Sequence, residues 1–160
     1  TFIHGISMDG QISASLGRRS TIEIKRVTDD SLVCETVYIR HRIILFSLFT
    51  FAFSPDNQLL MAEGKVWHVI DCKRVSHLSQ GERAGTFAFS PDSKIIALSS
   101  YDMYYWGPII TLVNTEEPGL LYTIYTTRNY ENRIGLALSP DGTLFAVNLP
   151  DGVHVYGIQP

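Results

Sequence analysis

Short apolar runs separated by compact polar turns recur along the whole chain. Four of the turns share one pattern: Ser7-Met8-Asp9-Gly10, Ser54-Pro55-Asp56-Asn57, Ser90-Pro91-Asp92-Ser93 and Ser139-Pro140-Asp141-Gly142. The runs before them end in His4-Gly5-Ile6, Phe51-Ala52-Phe53, Phe87-Ala88-Phe89 and Leu136-Ala137-Leu138. A small residue therefore sits between two larger ones, usually apolar, each time, as expected where two sheets approach closely across a strand. After the turns come Ile12 and Ala14, Leu59 and Met61, Ile95 and Ala97, and Leu144 and Ala146. A third apolar run follows as Ile22-Glu23-Ile24, Val66-Trp67-His68-Val69, Ile109-Ile110-Thr111-Leu112 and Val153-His154-Val155. The pattern predicts an all-β chain of repeated antiparallel strands.

The turn chemistry has a physical basis. Proline presets φ at the first corner, Ser and Asp bond back to the local backbone, and Gly or Asn accepts a left-handed conformation. Gly10, Asn57 and Gly142 suit that last place, and Ser93 suits it less well. One such turn is only a hairpin, whereas four in one column of a repeat define an architecture. The turns begin at 7, 54, 90 and 139, so their spacings are 47, 36 and 49 residues. These average close to the roughly 40–45 residues of a four-stranded propeller blade.

The stretches Phe49 to Leu60 and Thr86 to Ala97 resemble the first two strands of a WD40 repeat, and Ile134 to Tyr156 is similar over nearly three strands. Residues 5 to 27 match more loosely. The resemblance implies a β-propeller segment of about four WD40-like blades, each a four-stranded antiparallel sheet. Taken as one partial propeller domain over 1–160, the repeats run roughly 1–46, 47–83, 84–131 and 132–160. The family's Trp-Asp pair is absent, because the third runs end in Arg26-Val27, Ile70-Asp71, Val113-Asn114 and Tyr156-Gly157. The Gly-His pair before the inner strand is missing too, so the family's hydrogen-bonded network does not carry over. The last blade is expected to be incomplete, with further blades supplied by the parent chain. Closure of four complete blades on themselves is the alternative.

Composition narrows the function classes. With 45% hydrophobic and 18% charged residues, the chain has the balance of an ordinary globular protein. A net charge of −3 offers no electrostatic reason to expect nucleic acid or an acidic membrane as partner. The longest apolar stretch, Ile43 to Phe53, is too short to span a bilayer and reads as a loop running into an inner strand. Cys34 and Cys72 fall on different blades; they could pair, but buried free thiols in a reducing, cytoplasmic setting are the favoured expectation.

Catalytic signals are few. His4, His41, His68, His77 and His154 are scattered without metal-ligand spacing. His4 stands in a column otherwise held by Phe and Leu, where a satisfied core histidine is favoured over a channel ligand. No phosphate loop, nucleophile elbow or zinc-binding helix motif occurs. Asp9, Asp56, Asp92 and Asp141 are explained as turn residues. No cofactor, metal or catalytic residue is expected.

Blade three carries one distinctive feature, Tyr101-Asp102-Met103-Tyr104-Tyr105-Trp106-Gly107-Pro108, read as a loop between the second and third strands. Exposed Tyr and Trp offer rigid contact area and are enriched in binding hot spots. The propeller resemblance puts this loop on one rim with arginines such as Arg128 and Arg133. Tyr101, Tyr104, Tyr105, Trp106, Arg128 and Arg133 are therefore the expected partner-binding residues, with a loop folded over its own blade for packing as the competing explanation. The favoured function is a non-catalytic scaffold that presents its rim to protein or peptide partners. The alternatives are an enzymatic propeller of hydrolase or lactonase type, with its site in missing blades or the central channel, and a degenerate repeat with purely structural duty in a signalling receptor.

Overall fold

The computed structural model describes residues 3–17, 21–37, 51–62, 65–77, 83–102, 107–116, 119–125, 134–149 and 151–158. All secondary structure among them is β-strand, and it falls into four antiparallel sheets. The first sheet contains β1 (Ile3–Ile6), β2 (Ile12–Leu16), β3 (Thr21–Arg26) and β4 (Leu32–Val37) in that order. The second contains β5 (Phe51–Phe53), β6 (Leu59–Ala62), β7 (Lys65–His68) and β8 (Arg74–His77). The third contains β9 (Arg83–Phe89), β10 (Ile95–Asp102), β11 (Gly107–Asn114) and β12 (Gly119–Tyr125). The fourth has three strands, β13 (Gly135–Leu138), β14 (Leu144–Leu149) and β15 (Gly152–Gly157). Strands adjacent in sequence are adjacent in each sheet, as short connections dictate.

The chain divides into two compact units, Thr1–Ser76 and His77–Pro160. In the first unit, Ala14, Ile22 and Ile24 of the first sheet form one core with Phe53, Leu60 and Trp67 of the second. Gly5 lies against Phe51 of the second sheet. A Cβ there would lie 3.1 Å from the Cβ of Phe51, so a side chain at this position would crowd the two strands. In the second unit, Ala97, Ile110 and Leu112 of the third sheet cluster with Phe145 and Val147 of the fourth. Each core thus joins one face of a sheet to the opposite face of the next.

Two expectations are corrected. Cys34 of β4 and Cys72, in the turn after β7, form a disulfide with their Cα atoms 5.8 Å apart, and so are not free thiols. It links the outer part of the first sheet to the second, two segments 38 residues apart in sequence. Spacing along the chain could not reveal this, because only the stacking of the sheets brings β4 and the turn after β7 together. The second correction concerns the long loop read at 101–108. β10 continues through Tyr101 and Asp102, which pair with Pro108 and Gly107 of β11. The strand ladder absorbs both ends of that loop.

Candidate functional site

The four repeated turns are built alike, down to individual hydrogen bonds. Each serine hydroxyl donates to the carboxylate of the aspartate two residues on, at 2.5–2.6 Å. The same carboxylates accept the N–H of Gln11, Gln58, Lys94 and Thr143 at 3.0–3.1 Å. Each serine oxygen accepts in turn the N–H of Ile12, Leu59, Ile95 or Leu144 at 2.8–2.9 Å. The fourth turn residue is left-handed every time, with φ of 72° at Gly10, 61° at Asn57, 64° at Ser93 and 72° at Gly142. Ser93 adopts the conformation its side chain disfavours because the surrounding ladder imposes it.

In three of the turns these bonds hold the aspartate carboxyl in its ionised form. The Ser7 hydroxyl, with the N–H of Gln11, holds the Asp9 carboxyl below its ordinary pKa. Ser90 and the N–H of Lys94 do the same for Asp92. Asp141, bonded by Ser139 and by both the N–H and the hydroxyl of Thr143, is lowered to about 2. A carboxyl held ionised by its own turn cannot deliver a proton near neutral pH.

Turns joining third and fourth strands reuse this device, a feature that the strand pattern missed. Asp29 accepts the N–H and hydroxyl of Ser31 at 3.1 and 2.6 Å. Asp71 accepts the N–H of Lys73 at 2.9 Å, and Asn114 that of Glu116 at 2.8 Å. Asp71 and Asn114 stand at the ends of the third apolar runs of their sheets. Here their short polar side chains cap a turn, and the signal was present in the recurrence of Asp or Asn itself. The first two repeated turns are also joined, because the N–H of Met8 donates to the Asn57 side-chain oxygen at 2.8 Å.

Of the expected partner-binding residues, Tyr101 lies in β10, where its backbone also pairs with Arg83 of β9. Tyr104, Tyr105, Trp106, Arg128 and Arg133 lie outside the described residues. Two tyrosines not singled out from the sequence are exposed on the outermost strand of the third sheet, Tyr122 at 62% and Tyr125 at 60%. The alternating run Gly119 to Tyr125 could have identified β12 as a strand before its exposure was known. On the fourth sheet, Asp151 and His154 approach to 2.9 Å, which lowers the Asp151 pKa, and the His154 ring stacks near Tyr156. Described residues include no nucleophile bonded to this pair. Also among the described residues, no group of three or more His, Cys, Asp and Glu is placed to hold a metal ion. No described helix is long and apolar enough to cross a membrane.

No protein-family model matches the sequence, and no curated protein matches it. Solved structures do, with 634 matching chains, so this arrangement of sheets is a recurrent one. One is the crystal structure of a computationally designed protein, Ika4, which matches with a TM-score of 0.64. That match covers 99% of this chain and 92% of the designed one at 18% sequence identity. At that identity the likeness concerns the all-β fold and carries no information about activity.

Proposed function

We propose that this chain is a WD40-like segment of a β-propeller that serves as a non-catalytic scaffold for protein or peptide partners. One observation carries the reading: the recurrent polar residues are spent inside their own turns, while the links between strands differ from sheet to sheet. Constant turns make a rigid frame, and variable links are where a frame of this kind carries recognition. The aromatic sequence Tyr104-Tyr105-Trp106, next to β10, is the most distinctive of those links and supplies the contact area a partner would use. Arg128 and Arg133 add charge to the same proposed rim.

The cytoplasmic setting expected from the sequence fits a disulfide between β4 and the turn after β7 poorly. A Cys34–Cys72 disulfide is the mark of an oxidising compartment far more often than of a reducing one.

The test replaces Tyr104, Tyr105 and Trp106 with alanine in the full-length protein and compares co-purifying partners. Loss of partner recovery with unchanged folding is the expected result. Equal recovery from the triple variant would remove the aromatic link from the interface.

A further inference from the structure

The Cys34–Cys72 disulfide joins two elements whose shape does not come from it. Cys72 is the left-handed residue of the turn between β7 and β8, with φ of 52°. The turn between β3 and β4 is built the same way without a cysteine, and Asp30 takes φ of 55° there. Equivalent bonds close both turns. The N–H of Arg26 donates to the Ser31 carbonyl at 2.9 Å, and the N–H of His68 to the Lys73 carbonyl at 2.8 Å. Asp29 and Asp71 each accept the N–H of the residue two further on, at 3.1 and 2.9 Å. The backbone and an aspartate therefore set the turn, and Cys72 occupies a place already formed. Cys34 is fixed separately, by its pairing with Ile24 in the β3–β4 ladder. Between the sheets, the apolar core from Ala14 and Ile24 to Phe53, Leu60 and Trp67 supplies contact that owes nothing to the sulfurs.

The two sulfurs differ in access. Cys72 is 8% exposed and belongs to the core, whereas Cys34 is half-buried on β4, the last strand of its sheet. The Cys34 Sγ also lies 3.2 Å from the carbonyl oxygen of Val69. A disulfide sulfur has no hydrogen to offer that oxygen, but a thiol does. Reduction therefore gives Cys34 an S–H···O bond where it already stands. A disulfide with one accessible sulfur is open to exchange, and thiols that stay apposed after reduction can close again.

We propose that Cys34 and Cys72 form a reversible redox site, which exchanges with an external dithiol while both sheets stay folded. One thiolate of the dithiol attacks the Sγ of Cys34, and the bond to Cys72 breaks. The Cys72 sulfur leaves with the electron pair and takes up a proton. The second thiolate then attacks the reductant's own sulfur in the mixed disulfide, and Cys34 leaves in the same way. In total two electrons and two protons pass to the protein, and the dithiol departs as its internal disulfide. Oxidation runs the steps backwards, favoured because turn and ladder keep the sulfurs together. Such a pair is dithiol in a reducing compartment and disulfide in an oxidising one, so it ties the chain to neither.

The test treats the folded full chain with dithiothreitol in the absence of denaturant and then adds iodoacetamide. Both cysteines should label, while far-UV circular dichroism at room temperature stays unchanged. With the reductant removed, oxidised glutathione should restore the disulfide at least about tenfold faster in buffer than in denaturant, as expected of thiols already in place. The point of attack is read separately. Cys34 in the Cys72→Ser variant should react with a small aromatic disulfide at least about tenfold faster than Cys72 in Cys34→Ser. Should either variant fail to fold, peptide mapping of the unmutated chain after brief exposure to glutathione decides, with the mixed disulfide expected on Cys34. Reduction that needs denaturant, or that abolishes the β-sheet signal, would overturn the proposal by showing a permanent cross-link. Re-closure no faster in buffer than in denaturant would overturn it as well. Attack at Cys72 would overturn the role given to Cys34. None of these readouts involves the aromatic link, so failure here is distinct from failure of the scaffold reading.

Discussion

Ile24 in the first sheet and Val155 in the fourth hold the same place in the repeat, face the same way from the same kind of strand, and differ completely in environment. Both are β-branched and apolar, so strand preference does not separate them. What separates them is the neighbour: Phe53, Leu60 and Trp67 belong to the core around Ile24, while Val155 stands open. Burial in a repeat is therefore a property of the stack and only indirectly of the residue.

The largest expected effect tests that contrast directly. Ile24→Ala should cost about 2–5 kcal/mol of unfolding free energy by loss of buried contacts and cavity formation. Val155→Ala should stay within about 0.5 kcal/mol, since exposed positions away from special features rarely exceed that. Denaturant titration of both variants measures the pair, and equal losses would mean that the fourth-sheet face is covered in solution.

Next comes the staple, which belongs to the first unit. Replacing both Cys34 and Cys72 with serine should cost about 2–4 kcal/mol, the usual worth of a disulfide that closes a loop in the unfolded chain. Thermal melts with and without dithiothreitol check it. Reductant should lower the melting temperature of the parent protein and leave the double variant unmoved.

A smaller difference separates two glycines on inner strands. Gly5→Ala pushes a methyl to 3.1 Å from Phe51 and should cost about 1–3 kcal/mol by overpacking. Gly135→Ala meets only the Cβ of Asn148 at 3.7 Å, an ordinary contact, and should be close to neutral. Melting temperatures of the two variants give the comparison.

The smallest effects lie in the turns. Ser93→Gly should stabilise by up to about 1 kcal/mol by relieving a left-handed non-glycine residue, and Gly142→Ser should destabilise by a similar amount. Acid should also distinguish the folded protein. Because Asp9, Asp92 and Asp141 have lowered folded-state pKa values, their contribution is present above the unfolded carboxylate pKa near 3.8. It is lost as the pH falls toward about 2, where Asp141 titrates. Asp141→Asn should flatten part of that acid limb in a stability profile between pH 5 and pH 2.

Much of the fold was legible in the order of side chains because its signals are local. A Ser-x-Asp turn closes its own hydrogen bonds within six residues, so Ser54, Asp56 and Leu59 announce a hairpin wherever they stand. Alternation around Ala52 or Ala97 likewise follows from the pleat alone. The candidate interface was less legible. Tyr101 read as loop because aromatic composition suggests a rim, yet its strand partner Pro108 extends the ladder through it. Ladder length depends on cross-strand pairing, which composition does not encode.

By itself, then, the sequence determined the all-β class, the four hairpins and the structural duty of their aspartates, since each depends on interactions spanning a few residues. Tertiary structure alone decided that Cys34 meets Cys72, that Gly5 lies against Phe51, and that Val153 and Val155 are bare where Ile22 and Ile24 are core. Those outcomes depend on which sheet lies next to which. No window of the chain short enough to read locally contains both partners.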